Sequence, residues 1–205
     1  MKAFVGAVTT IGVVLYPVGV WIGLTRFSAR TVSLWMLALL VPSVLYRFRG
    51  AKREDLWAVL RIPAVIIAVL AVGALLDDRR FVVATPVLIN VGLLVNFAAS
   101  LRGVPMIERF ARLHTDEPLG PAHVAHCRQA TLVWIAFFLF NAVTATVLAS
   151  RPAWTEAWAA YNGGIAYALM GAVALGEYVV RRYRFREFGS GAFDRALQRV
   201  FPEER

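Results

Sequence analysis

The sequence predicts an all-α fold: a polytopic bundle of transmembrane helices. Three observations carry the prediction. Of the 205 residues, 59% are hydrophobic and only 17% are charged, against roughly 45–50% and 25% in soluble domains. The apolar residues fall in long runs rather than the stretches of about 4–8 expected of buried strands. The charges gather between those runs, as they do in the loops of multi-pass membrane proteins.

A spanning helix needs about 20 apolar residues. The runs place spans at residues 3–25, 31–46, 56–76, 81–101, 130–150 and 158–180, so that 1–180 form a transmembrane domain and 181–205 a basic amphipathic tail. The first run is too long for a signal-peptide core and reads as a retained helix. The second is short, and a re-entrant segment is its alternative. A barrel would need short alternating strands, which the sequence lacks.

Lysine and arginine set the orientation. With six spans both termini share one side, which collects sixteen basic residues against five on the other. That bias puts both termini in the cytoplasm. The net charge of +9 therefore reads as loop charge, and no basic patch interleaved with aromatics points to nucleic acid. A single cysteine, Cys127, excludes an intrachain disulfide and a cysteine-only zinc site within one chain. Trp35, Trp57, Trp134, Trp154 and Trp158 lie near span ends, where amphipathic rings settle.

Polar residues at membrane depth are candidate functional groups. Asn90, Asn96, Asn141 and Asn162 could line an intramembrane pocket, or simply hydrogen-bond within and between helices. Arg61 and Glu177, at similar cytoplasmic depth, could pair or snorkel to the interface. Gly19 and Gly23 form a small-residue helix-packing pattern, and "YNGGIAYALMGAVALG" permits close approach in the last span. The sequence leaves self-association open. Pro17, Pro42, Pro63 and Pro86 predict kinks. No inverted repeat suggests a transporter.

Between the fourth and fifth spans lies "GVPMIERFARLHTDEPLGPAHVAHCRQ", which holds all three histidines and the cysteine. Its first part predicts a short interfacial helix, with Met106, Ile107, Phe110 and Leu113 on one face and Glu108, Arg109 and Arg112 toward the other. His114, His123, His126 and Cys127 match no common metal spacing, nor a nucleophile pair with an orienting third group. No metal or cofactor is expected. In the tail, Phe193, Ala196, Leu197, Val200 and Phe201 form an apolar stripe, with Arg195 and Arg199 off it. That stripe predicts a second interfacial helix drawn to the bilayer and its anionic lipids on the cytoplasmic face, or docked on a protein.

The order of "VPMIERF", "ATLVWIAFFLFN" and "WAAYNGGIAYAL" resembles the intracellular septation protein A family of small bacterial inner-membrane proteins. The likeness runs from about Arg47 to Tyr183 and rests on Pro105, Ile107 and Arg109, then Trp134, Phe137 and Phe138, then Trp158 and Tyr161. The resemblance implies a non-enzymatic, multi-pass protein of the inner membrane. It would act in cell-envelope maintenance and division through lipids and membrane proteins of the envelope or division machinery, without cofactor or catalytic residues. The alternative is a lipid- or small-molecule-handling membrane protein, serving transport or biosynthesis, with a polar intramembrane pocket.

Overall fold

Long apolar runs commit the backbone to helix, because lipid offers no partner for an open N–H or C=O. The computed structural model describes residues 22–23, 26–47, 53–113, 118–188 and 191–201, and among these it holds helices and no strand. The helices are α1 (Ala29–Arg47), α2 (Arg53–Leu76), α3 (Arg79–Ser100), α4 (Met106–Arg112), α5 (Pro121–Ala149), α6 (Thr155–Ala160), α7 (Ala166–Phe185) and α8 (Ala192–Val200). A 3-10 turn, Pro152–Trp154, leads into α6, and a π turn, Tyr161–Ile165, joins α6 to α7.

Among the described residues, three helical runs are long and apolar enough to cross a membrane: α3 with 22 residues, α5 with 29, and Pro152–Phe185 with 34. At 1.5 Å per residue they rise about 33, 44 and 51 Å, against a hydrocarbon core of about 30 Å. Shorter apolar stretches, Ala29–Leu45 and Pro63–Leu76, lie in α1 and α2. The first predicted span lies outside the described residues except for Ile22 and Gly23, and so do Pro17 and Gly19. Pro42, Pro63 and Pro86 sit inside α1, α2 and α3 without ending them.

Two boundaries differ from the sequence reading. The fifth helix starts at Pro121, nine residues before the predicted span begins at Ala130, and His123, His126 and Cys127 occupy its first turns. The last helix continues to Phe185, which places Arg181, Arg182 and Arg184 on the helix instead of in a separate tail. In both cases the extension is amphipathic: hydropathy falls while helical geometry continues.

The chain divides into two compact units, residues 1–95 with 138–166 and residues 96–137 with 167–205. In unit one, α1 packs on α2. A Cβ on Gly73 would lie 2.8 Å from Phe81 Cβ and 3.1 Å from Ser33 Oγ, closer than real side chains sit, so glycine is what lets α1, α2 and α3 meet here. Arg30 closes the end of α2: its Nε donates to the carbonyl of Ala74 (3.0 Å) and its backbone N–H to Asp77 Oδ1 (2.7 Å). The first of these bonds occupies a carbonyl group that a helix end leaves open. Asp77 ends α2 at φ 52°, and Asp78 Oδ1 accepts the Arg80 N–H (2.9 Å) as the N-cap of α3.

In unit two, α4 is seated by hydroxyls. The Met106 N–H donates to Ser100 Oγ (2.9 Å) and the Ile107 N–H to Thr131 Oγ1 (3.3 Å), which satisfies two of the free donors at the start of α4. Its faces differ from the expectation. Glu108 is 3% exposed, whereas Leu113 is 77% exposed. The carboxylate goes inward because Arg112 covers it, Nε and Nη2 both donating to Oε1 at 2.9 and 2.5 Å. Phe110 and Leu113 are exposed, as are Arg109 and Arg112, while Met106 and Ile107 are half-buried, so the packed side draws on both sets. In α8 the buried residue is likewise polar: Asp194 accepts the Tyr178 hydroxyl proton and pairs with Arg182 Nε at 3.1 Å. Phe193 and Val200 stay exposed.

Candidate functional site

The polar first turns of α5 and the polar last turns of α7 build a cleft in unit two. His123, His126 and Cys127 recur at spacings of three and four, which places side chains along one side of a helix. Glu177 and Arg181 do the same on α7. With Ile107 and Phe110 of α4, Trp134 of α5 and Phe185 of α7, these residues line a cleft of about 840 Å³.

The groups in this cleft meet in pairs. His126 Nε2 lies 3.3 Å from Glu177 Oε1, and both side chains are largely covered. His123 stacks on Phe185 with ring centroids 3.8 Å apart, and its Nε2 lies 3.2 Å from Glu187 Oε1. The edge of Phe185 also meets His126, at 5.5 Å and 84°. Arg182 is turned to Asp194 and Tyr178, and donates to the carbonyl of Glu187. Arg181 differs: its Nε is buried, makes no hydrogen bond, and approaches Glu177 Oε1 only to 3.8 Å. Each histidine thus meets a glutamate, Asp194 pairs with Arg182, and Arg181 is the cleft cation least committed to a partner.

Several sequence expectations are now located. Glu177 partners His126 and Arg181, and the side chain of Arg61 lies outside what the structure describes. His114 also lies outside the described residues. Among the described residues, no three His, Cys, Asp or Glu side chains are grouped to hold a metal ion.

The four asparagines behave individually. Asn90 Nδ2 donates to the Pro86 carbonyl (2.8 Å) and Asn162 Nδ2 to the Trp158 carbonyl (2.9 Å), each one turn back on its own helix. Asn141 Oδ1 accepts the Tyr161 hydroxyl proton at 2.5 Å, both residues being buried. Asn96 belongs to unit two. None of the four lines the cleft.

The positions behind the family resemblance have structural roles. Pro105 is the N-cap of α4, and Arg109 Nε donates to the Val104 carbonyl (3.0 Å). Trp134 meets Phe137 edge-on at 5.6 Å. Phe137, Phe138, Trp158 and Tyr161 are buried.

Sequence reasoning missed the His126–Glu177 pair, which joins positions 51 residues apart. The available signal was Glu177 itself, an acid at membrane depth that requires a partner. Comparison of the chain with known protein families, curated proteins and solved structures gave no match.

Proposed function

We propose that the chain is a multi-pass protein of the bacterial inner membrane, with six spans and both termini cytoplasmic, that binds a lipid-like or other small amphipathic molecule in the unit-two cleft. The composition of the cleft carries this reading. An apolar wall of Ile107, Phe110 and Trp134 faces a polar wall in which Arg181 is the least committed charge. An apolar body with a few placed polar groups is the usual make-up of a small-molecule site. The bias of sixteen basic residues to five supports the orientation.

Binding is favoured over catalysis because the histidines are already held. His126 is fixed by Glu177, and His123 by Glu187 and the face of Phe185. A role in envelope maintenance and division is supported by the family resemblance, and a ligand-binding cleft is compatible with it.

The experiment is native mass spectrometry and lipid extraction on detergent-purified protein. Ala174 lines the cleft, so Ala174→Trp should fill part of it. The wild type should retain a bound amphiphile that Ala174→Trp loses at unchanged helix content. Equal retention by both, or by neither, overturns the proposal.

A further inference from the structure

A second cleft, of about 690 Å³, lies within unit one. Three arginines line it: Arg79 and Arg80 from the first turn of α3, and Arg151 from the link after α5. No carboxylate is among the lining residues. Asp78 and Glu156 each adjoin a lining residue in sequence without lining the cleft, and Asp78 Oδ1 is engaged by the Arg80 backbone N–H. Arg79 Nη2 donates to the Thr155 hydroxyl (2.8 Å), and the Arg151 guanidinium lies 4.7 Å over the Trp154 ring. None of the three forms an ion pair among the described residues.

Beneath the arginines the lining is apolar, with Val83, Val87, Leu88 and Leu148. Trp158 also lines this cleft. It is 2% exposed, and its indole Nε1 has no hydrogen-bond partner. A buried donor left unpaired is costly and unusual. It marks a place where an acceptor is missing.

We propose that this cleft binds an amphiphile whose phosphate headgroup is net anionic, the headgroup held by Arg79, Arg80 and Arg151 and the chain laid along Val83, Val87 and Leu148. Arginine forks suit phosphate because they present paired donors at fixed spacing. The absence of a lining carboxylate leaves the anion uncontested. The apolar floor selects an amphiphile over a free ion, and a phosphate oxygen supplies the acceptor that the Trp158 N–H lacks. All three arginines stand at helix ends, the level at which a lipid headgroup lies when the helices cross a bilayer.

The test uses full-length protein in neutral detergent, titrated in separate arms with dioctanoyl phosphatidylglycerol, dioctanoyl phosphatidylcholine and inorganic phosphate. Binding is read by native mass spectrometry. The glycerol lipid should bind at least about tenfold more tightly than the choline lipid or free phosphate. The combined Arg79→Gln, Arg80→Gln and Arg151→Gln variant should lose about tenfold or more, as expected for charge-assisted hydrogen bonds. Trp158→Phe, which keeps the ring and removes the donor, should weaken binding by a smaller factor, and Ala174→Trp in the other cleft should leave it unchanged. Equal binding of the two lipids, free phosphate binding as tightly as phosphatidylglycerol, or full affinity in the arginine variant overturns the proposal. Retention of this binding in Ala174→Trp separates it from the fate of the unit-two cleft.

Discussion

Tyr161→Phe removes one hydroxyl and nothing else from the interior of unit one. The ring remains, so no cavity opens and the cavity cost of a large-to-small change does not arise. What changes is the hydrogen bond to Asn141 Oδ1, at 2.5 Å between residues 7% and 3% exposed. The amide oxygen is then buried without that donor. In soluble proteins such a loss costs about 1–3 kcal/mol. Side-chain hydrogen bonds within membrane proteins average about 0.6 kcal/mol and reach about 1.7. The pair lies between those ranges, because both residues are buried and the bond is short, so the expected cost is about 1 kcal/mol. For a chain of this length that lowers Tm by about 2–4 °C. Thermal unfolding in detergent, followed by circular dichroism, measures the shift. The double variant Tyr161→Phe with Asn141→Leu sharpens the test, since removing both partners is far less costly than stranding one. It should be more stable than Asn141→Leu and Tyr161→Phe would give if their effects simply added. A Tm unchanged by Tyr161→Phe together with strict additivity would refute the claim that this bond holds α5 to the π turn.

Two further outcomes follow from the geometry. Asp194→Asn weakens the contact of α8 with Tyr178 and Arg182 and should make the segment around Arg195 and Arg199 roughly tenfold or more easier to cleave with trypsin, from a loss of about 1–3 kcal/mol at one buried charged group; an unchanged cleavage rate would show that α8 is held by other contacts. Reporter fusions after Asp55 and at the C-terminus should both read as cytoplasmic, and a periplasmic C-terminus would overturn the six-span topology.

The long helices were legible because lipid-compatible segments must be apolar along their length, and α3 meets its predicted limits to within two residues. Helix ends were less legible for the converse reason. Pro121 to Gln129 is helical without being apolar, so a hydropathy reading stops short of it. α4 shows a different limit. Periodicity set an apolar face against a charged one, yet burial follows neither, since Glu108 is buried while Phe110, Leu113, Arg109 and Arg112 are exposed. The hydroxyls of Ser100 and Thr131 seat the start of the helix, and the cover that Arg112 gives Glu108 lets that carboxylate turn inward.

The histidine segment shows where sequence spacing carries chemistry and where it does not. His123 and His126 are only three apart, yet each meets a different glutamate, Glu187 and Glu177. Those acids lie more than fifty positions away and come into reach only because α5 and α7 are brought together in unit two. These contacts leave Arg181 as the loosely held group in the cleft. The two clefts therefore differ in kind. In unit two the polar side chains meet one another beside an aromatic wall, and the ligand proposed for that cleft is a largely apolar one with one anionic handle. In unit one three arginines face no lining carboxylate, so the charge of the ligand, rather than its shape, should dominate its affinity.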